Sequence, residues 1–390
     1  MNRLSLQSFF CFQRLRLTKR IFWLLCGAFC FVLLFSELKA EDQLSTKKTP
    51  TLSAKKISQD EIRIYVDDEF FAEYRSDYKG TPIIWPICGV DQTLVTRAWP
   101  MIDDVDTEQD PAMKTIYQNA KISERGGVKD HPHHRSLWFN HGDVNGGDFW
   151  GGTASVIKQS QLLDLQCDGK TVVVQTENYW FNDKLNRNVC RDVRNVVFGV
   201  LDVNEKNFRY LDFNIEIFAL EDGVSFGDTK EGSFGIRVPS PTAMTTKKLN
   251  PNWGGTFFNN QGEQGNDAWG KPSKWVNYTG PAEKFLVGDD LTREFSKADD
   301  ANDFPLTQIG VAVFSGPSSL GQHAWRHVRD YGLFASNPFG QHDFEPNNPQ
   351  ANGEQKLNKG DSMSFSFRVL FHNGELTTDD LNQVYQNYVK

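Results

Sequence analysis

Half of the eight histidines in this 390-residue sequence lie in one short segment that begins at Asp130. They are His131, His133, His134 and His141. Imidazole exchanges protons near neutral pH and also binds metal ions. On one regular strand these side chains would alternate between two faces, but Pro132 favours an irregular entry that can regroup them. The segment therefore predicts a functional site, with His134 and His141 as candidate catalytic residues. A few unrelated core or surface histidines would be the structural alternative.

Further polar and aromatic residues extend the same segment as far as Trp150. We predict that they bind substrate: Arg135, Asp143, Asn145, Asp148 and Trp150. The closely spaced His131, His133 and His134 offer an alternative use as ligands of zinc or copper. No HExxH motif accompanies them, so we expect no cofactor and keep the metal site as the weaker hypothesis.

A second segment, residues 226–238, places charged residues between glycines. Glu231 is a candidate catalytic carboxylate, and Lys230 beside it is a candidate substrate ligand. A short strand that carries Arg237 follows. The same pattern is typical of a charged hairpin turn, and spacing alone does not separate the two interpretations.

A third segment, residues 325–340, alternates chemistry-bearing side chains along a predicted strand. His327, Arg329 and Tyr331 fall on one face. We interpret His327 as catalytic and the other two as ligands for a polyhydroxylated or anionic molecule. A solvated strand face is the structural alternative.

A fourth element contains Trp269 and Trp275, followed by Tyr278. Tryptophan rings present broad apolar faces that stack on sugar rings. We therefore place Trp269 and Trp275 among the substrate-binding candidates, although core packing is the alternative for at least one of them.

Strands must position these segments, because period-2 patterns dominate the chain. The run from Phe208 to Leu220 alternates in this way, and so does Ser362 to Phe371. Only Thr377–Val389 predicts a helix, through an apolar stripe and acidic residues in its first turn. The fold class is therefore all-β, a large antiparallel β-sandwich with one C-terminal helix. We expect a flexible leader over 41–60 and a single domain over 61–390.

The first forty residues predict a secretory signal peptide. The basic residues Arg14, Arg16, Lys19 and Arg20 precede the apolar run Ile21–Phe35, and Ala40 precedes an acidic start. Fifteen residues are too few for the roughly 20 that span a bilayer, so we expect cleavage near Ala40, a secreted or periplasmic protein and no membrane span in the mature chain.

Cleavage changes the charge and the cysteine count. The net charge of the whole chain is −8, and loss of six basic residues and one acidic residue leaves −13. Such acidity excludes nucleic acid as the main partner and favours a neutral glycan over a polyanion. Three cysteines remain, Cys88, Cys167 and Cys190, so at most one disulfide forms, and its pairing is open.

Long motifs in these four segments resemble a known bacterial family. HPHHRSLWF, GDTKEG, WGK and HVRDYGLFA, in this order, resemble the family labelled "methane oxygenase PmoA" over about Pro82 to Phe371. The resemblance implies a fold similar to the galactose-mutarotase-like supersandwich, in which a histidine and a carboxylate act on a sugar ring.

These inferences lead to one functional hypothesis and two alternatives. We expect a carbohydrate-active enzyme that applies acid-base chemistry to a sugar or glycoside, with a small molecule or oligosaccharide as ligand. A glycan-binding protein without catalytic activity is the first alternative. A histidine-bound metal oxidase or oxygenase, as the family label suggests, is the second.

Overall fold

Alternating burial explains why the longest segments form a sheet. Every second side chain of the strand Thr171–Asn182 is buried, and the following strands Arg187–Val203 and Lys206–Ala219 continue the alternation. Asn204 and Glu205 join the last two with φ angles of 53° and 64°. Two successive positive φ angles define a tight hairpin turn whose twist matches that of the flanking strands.

The computed structural model describes residues 49–296, 304–321 and 324–390. In chain order its strands are β1 Leu52–Lys56, β2 Glu61–Val66, β3 Glu69–Arg75, β4 Ile83–Ile87, β5 Leu137–His141, β6 Val156–Cys167, β7 Thr171–Asn182, β8 Arg187–Val203, β9 Lys206–Ala219, β10 Val224–Phe226, β11 Gly232–Arg237, β12 Thr256–Asn259, β13 Trp275–Glu283, β14 Leu306–Ser318, β15 Trp325–Val328, β16 Leu333–Asn337, β17 Gln355–Leu357 and β18 Ser362–Asn373. The helices are α1 Lys114–Ser123, α2 Gly288–Ser296, α3 Gln341–Phe344 and α4 Thr378–Tyr388.

Two eight-stranded antiparallel sheets contain most of these strands. The first sheet has the order β1-β2-β3-β4-β5-β11-β16-β15, and the second has the order β12-β13-β14-β18-β9-β8-β7-β6. Strands β10 and β17 form a small separate pair. The predicted all-β antiparallel sandwich is confirmed, and Pro50–Lys390 forms one compact unit.

Aromatic side chains fill the space between the two sheets. Phe234 of the first sheet stacks on Phe367 of the second, with ring centroids 4.6 Å apart. Phe139 and Phe213 form a similar pair at 6.0 Å. Each buried aromatic ring of this kind contributes about 1.5–3 kcal/mol through removal of apolar surface from water. Much of the aromatic content of the sequence therefore belongs to the core.

A second apolar cluster covers the opposite face of the first sheet. The chain between β4 and β5 folds over that face and includes α1, whose Tyr117 stacks on Trp85 at 5.8 Å. Trp138 of β5 and Trp150 belong to the same cluster. This outer face carries the candidate site described below.

The predicted C-terminal helix is confirmed. Thr377 accepts a hydrogen bond from the backbone N–H of Asp380, whose carboxylate accepts one from Thr377 in return. Leu381, Val384 and Tyr385 are buried against the second sheet. The helices α1, α2 and α3 were not predicted, because each is short and carries only part of an apolar stripe.

The expectation of a flexible leader over 41–60 is wrong where the structure describes it. Residues 52–56 form β1, which pairs with β2 along its full length, and Leu52 is buried. An edge strand requires backbone hydrogen bonds and few apolar side chains, so a polar composition does not reveal it. The predicted signal peptide lies outside the described residues.

Two further features concern the described residues alone. None of their helices is long and apolar enough to cross a bilayer. Cys88, Cys167 and Cys190 are all free thiols, so no disulfide forms among them.

Candidate functional site

Strand pairing brings the three polar segments together. Strands β5, β11, β16 and β15 are consecutive neighbours in the first sheet. Trp138 pairs with Gly235, Gly235 pairs with Ala335, and Ala335 pairs with His327. Paired residues share a face of the sheet, so these four positions form one row across its outer face.

Gly235 and Ala335 are the small residues in the middle of this row, and they leave room for neighbouring side chains to pack directly on the sheet. A Cβ atom added at Gly235 would lie 2.6 Å from the ring of Trp138, so the indole rests directly on the backbone of β11. Substitution of Gly235 by a larger residue would displace that ring.

Three histidine rings gather above Trp138. His134 stacks on Trp138 at 5.5 Å, and His131 stacks on His134 at 4.9 Å with nearly parallel planes. His133 meets His134 edge-on at 4.5 Å. A tight turn, closed by a bond from the His134 N–H to the carbonyl oxygen of His131, regroups these rings as the position of Pro132 suggested.

Arg237 controls the protonation of His134. Its guanidinium donates a hydrogen bond to Nδ1 of His134 at 2.9 Å. Burial and then the positive charge of Arg237 lower the pKa of His134 well below its usual 6.5. The ring is therefore neutral, and because Nδ1 is an acceptor, the single proton lies on Nε2.

Asp130 connects two arginines to the histidine cluster. Its Oδ1 atom accepts hydrogen bonds from Arg97 at 2.9 Å and from Arg237 at 2.7 Å. Its Oδ2 atom lies 3.1 Å from Nδ1 of His131. Burial alone would raise the pKa of Asp130, but Arg237 and Arg97 keep that pKa below its usual value. Asp130 thus holds Arg237 in position against His134.

Glu231 brings a carboxylate to this cluster without a partner of its own. It lies immediately before β11, and its backbone oxygen accepts a bond from the N–H of Gly142 at 2.7 Å. Among the described residues, its side chain has neither a hydrogen bond nor an ion pair. Burial raises the pKa of Glu231; Lys230 opposes this rise and Asp148 adds to it. Such a carboxyl group is suited to proton transfer.

His327 presents the opposite tautomer to that of His134. Its Nδ1 atom lies 3.0 Å from the carbonyl oxygen of Lys230, to which it must donate a proton. Burial, more than the charge of Arg329, lowers the pKa of His327 to about 3, so the ring is neutral. Its Nε2 atom is therefore an acceptor, and it has no partner within the described ranges. The half-buried Trp269 packs against the ring at 6.3 Å.

Tyr331 connects the third segment to the first. Its ring stacks on His131 at 4.8 Å. The guanidinium groups of Arg237 and Arg329 lie 4.9 Å and 5.4 Å from its centre. Tyr331 and Arg329 of the third segment therefore lie beside the histidine segment.

Two predicted site residues lie elsewhere, and both predictions are wrong. His141 is fully buried, with Nε2 bonded to the carbonyl oxygen of Gly227 and Nδ1 near the hydroxyl of Ser233, so it is a satisfied core residue. Trp275 is buried against α4, where its indole N–H bonds to Asn382. Alternation along β5 turns His141 away from the outer face, whereas Trp275 lies on β13 of the second sheet.

Several predicted substrate ligands have structural contacts instead. Arg135 is buried and donates to the carbonyl oxygens of Tyr78 and Lys79. Trp150 is buried within the second apolar cluster, so it offers no open platform. The correction follows from burial, which the sequence pattern does not report.

The polar residues of the loop after β5 mainly shape its turns. Asp143 accepts from the N–H of Gly146, and Asn145 accepts from the N–H of Ser225. Asp148 accepts from two backbone N–H groups of the following turn and remains exposed. Lys230 is also exposed, at the edge of the cluster.

The arrangement does not fit the metal hypothesis. Within the described ranges, no group of three or more His, Cys, Asp or Glu side chains is arranged to hold a metal ion. The rings of His131, His133 and His134 stack or meet edge-on, and Nδ1 of His134 already accepts from Arg237. The three histidines, as the structure describes them, are therefore not arranged as a set of metal ligands.

Sequence reasoning missed the residues that organise the cluster. The sequence pattern identifies Arg237 only as part of a strand and Asp130 only as the start of a segment. Alternation along β11 places Arg237 on the same face as Gly235, which is a usable signal. Arg97 has no such signal, because it reaches the cluster from the covering segment.

Similarity to known proteins is limited. No curated protein sequence matches the chain. A polysaccharide lyase structure aligns with 87% of this chain at 11% identity and a TM-score of 0.28, and this chain covers 35% of it. A 4-alpha-glucanotransferase structure from Thermococcus litoralis aligns with 84% of the chain at 11% identity and a TM-score of 0.27, with 40% of that enzyme covered. Scores this low carry no argument about fold or function.

Neither structural similarity tests the resemblance to the PmoA-labelled family or to the mutarotase-like supersandwich, and both remain predictions. A family model, in contrast, covers most of the chain. Residues 61–386 match the family of unknown function DUF6807, and the chain therefore belongs to that family.

Proposed function

We propose that this protein is a carbohydrate-active enzyme, with Glu231 as the group that transfers a proton. One observation carries the proposal. The Glu231 carboxyl group has a raised pKa and no partner among the described residues, at the point where three chemistry-bearing segments meet. A carboxyl group in this condition is costly for stability, and such groups are concentrated at catalytic sites.

The two neutral histidines suit hydrogen bonding to hydroxyl groups. Both rings are nearly buried, with 1% and 3% of their surface exposed; His134 has a donor at Nε2, and His327 has an acceptor at the same atom. Because their pKa values are lowered, neither ring is protonated near neutral pH. In this proposal they orient a sugar by a donor-acceptor pair, while Glu231 removes or delivers the proton in the reaction.

Aromatic rings and a second carboxylate support a glycan as substrate. The half-buried ring of Trp269 lies beside His327 and is suited to stacking against a sugar ring. Asp148 interacts electrostatically with Glu231 and is the candidate second carboxylate if the reaction is hydrolysis. A secreted or periplasmic location, proposed from the sequence, would give access to extracellular glycans.

The alternatives receive less support. A glycan-binding platform of Trp150, Trp269, Trp275 and Arg329 would need open tryptophan rings, and Trp150 and Trp275 are buried. The metal oxidase would need a ligand group that the three histidines do not form. Acid-base chemistry on a sugar therefore remains the function that the geometry favours.

The test is turnover of a panel of glycosides and oligosaccharides by Glu231→Gln. We expect turnover to fall by about 10²–10⁴-fold while binding is retained. Glu375→Gln, at an exposed position remote from the cluster, is the matched control. Unchanged turnover in Glu231→Gln would refute the assignment. Binding without turnover in the unmodified protein would favour the glycan-binding alternative.

A further inference from the structure

Arg329 differs from the other arginines around the cluster in its lack of a polar partner. Arg97 and Arg237 both donate to Asp130. Arg135 donates to two backbone carbonyl oxygens. The guanidinium of Arg329 rests against the ring of Tyr331, and among the described residues it meets no carboxylate and no hydrogen-bond acceptor.

The backbone fixes the position of Arg329. It follows β15 directly, and its N–H bonds to the carbonyl oxygen of Leu333 at 2.8 Å. The N–H of Gly332 returns a bond to the Arg329 carbonyl oxygen at 3.0 Å. Gly332 has a φ angle of 98°, which favours glycine, so this tight turn is built into the sequence. Arg329 and His327 share a strand face, which places the free guanidinium beside the proposed site.

Other hydrogen-bond donors near the cluster also lack acceptors. The indole N–H groups of Trp138, Trp150 and Trp269 are buried without a partner among the described residues. Buried donors are normally satisfied, so each such group requires an explanation. These three N–H groups are shielded from a ligand, so Nε2–H of His134 is the donor that the cluster offers to an acceptor oxygen.

We propose that Arg329 binds a carboxylate of the substrate, and that the sugar this site accepts is a uronic acid; this rests on the proposed carbohydrate function. A guanidinium offers two parallel N–H donors that match the two oxygens of a carboxylate. One unpaired arginine balances one negative charge.

The surrounding charges favour a single carboxylate over a more highly charged group. Glu231 and Asp148 interact electrostatically with each other in this region, and their negative charges would repel a phosphate dianion or a densely sulfated chain. The whole chain also has a net charge of −8. In this proposal the carboxylate of the sugar binds Arg329, and the hydroxyl groups of the sugar bind neutral side chains.

The test compares matched neutral and acidic sugars by isothermal titration calorimetry with the full chain. The ligand pairs are glucose with glucuronic acid, galactose with galacturonic acid and mannose with mannuronic acid. We expect one uronic acid to bind at least about tenfold more tightly than its neutral counterpart, since charge-assisted hydrogen bonds carry this preference. Arg329→Gln should remove the preference, and Arg329→Lys should retain part of it.

Arg191→Gln is the matched control, because Arg191 also stacks on an aromatic ring, that of Phe218 at 4.0 Å, but on the second sheet. It should leave the preference unchanged. Equal binding of neutral and acidic sugars, or a preference that survives Arg329→Gln, would overturn the inference. Failure of every uronic acid to bind would also overturn it, even if neutral sugars bind.

Two further titrations distinguish a site for a uronic acid from a general anion site. Acetate and inorganic sulfate, each titrated alone, test for a general anion site, and binding as tight as that of the uronic acid would refute the sugar assignment. The readout is binding, so the outcome for Arg329 does not depend on catalysis. Loss of turnover in Glu231→Gln tests the proposed function separately.

Discussion

Arg237 donates a hydrogen bond to Nδ1 of His134 at 2.9 Å, and the same guanidinium donates to Asp130 at 2.7 Å. An arginine side chain does not lose its proton in proteins, so Nδ1 must be the acceptor. This pair therefore fixes the tautomer of His134, and burial together with the charge of Arg237 keeps the ring neutral by lowering its pKa. The tautomer in turn decides that His134 presents a donor to a ligand.

Replacement of Arg237 by lysine tests this relationship. Lysine keeps the charge but cannot bridge Asp130 and His134 with two N–H groups, so we expect a mixture of tautomers. Nitrogen chemical shifts of the His134 ring, measured by NMR, report the change directly. We also expect turnover to fall by about tenfold to hundredfold. Arg191→Lys on the second sheet is the control. An unchanged spectrum of the His134 ring in Arg237→Lys would contradict the assigned tautomer.

The pH profile of kcat/KM should respond to Asp148. If Glu231 acts as a base, activity falls as the pH drops through its raised pKa. Asp148 contributes to that raised pKa through its negative charge. Asp148→Asn should therefore lower the pKa of Glu231 and move the acidic limb of the profile to lower pH. Asp289→Asn, on α2, should leave the limb in place, and a shift to higher pH in Asp148→Asn would count against the model.

The raised pKa of Glu231 also predicts a stability effect. Its ionised form is disfavoured in the folded state relative to the unfolded state, so the charge costs stability above its folded pKa. We expect Glu231→Gln to raise the midpoint of thermal unfolding at pH 7. At a pH below the usual carboxyl value of 4.5 the difference should vanish, because the side chain is then protonated in both states. A decrease at pH 7 would show that the carboxylate is stabilised by the fold.

Buried histidines should make the protein less stable in mild acid. Burial lowers the pKa of His141 to about 4, against 6.5 for the unperturbed group. Between these values the unfolded chain binds a proton that the folded chain does not, so stability falls as the pH falls, by at most about 1.4 kcal/mol per pH unit. Denaturant unfolding at pH 7 and pH 5 measures this slope.

Substitution of His141 shows how much this residue contributes to the pH dependence of the free energy of unfolding. His141→Gln should reduce the pH dependence of the free energy of unfolding, although the variant is less stable at pH 7. His342→Gln, which changes an exposed side chain, should leave the slope unchanged. An identical slope in His141→Gln and the unmodified protein would contradict the predicted role.

Substitutions of two tryptophans should have separate effects, one on stability and the other on ligand binding. Trp275→Phe removes the bond to Asn382 beneath α4, and we expect the free energy of unfolding to fall by about 1–3 kcal/mol with sugar affinity unchanged. Trp269→Ala should weaken sugar binding by about 1 kcal/mol, because it removes the ring beside His327. Chemical denaturation and calorimetry measure the two effects. Loss of sugar affinity in Trp275→Phe would contradict the assignment of a purely structural role to Trp275.

The fold could be predicted to a large extent because its causes are local. Alternation along β9 and β18 indicates strands, and the apolar stripe and cap of α4 indicate a helix without reference to distant residues. The edge strand β1 was missed, because its stability comes from backbone pairing with β2 and not from its side chains. The helix α1 was missed because tertiary packing, rather than its own pattern, stabilises it.

The candidate site could be predicted only in part. The sequence by itself determined that histidines, a glycine-framed glutamate and an alternating His-Arg-Tyr strand occur in three separate segments, because residue type and spacing are local properties. Which of them meet was decided by the order of strands in the first sheet, which depends on pairings such as Trp138 with Gly235 and Gly235 with Ala335, between residues far apart in the sequence. That order brought Glu231 and His134 to the outer face of the first sheet, while His141 faces inward and Trp275 lies on the second sheet beneath α4. Burial then set the pKa values, since desolvation exists only once the surrounding chain has folded.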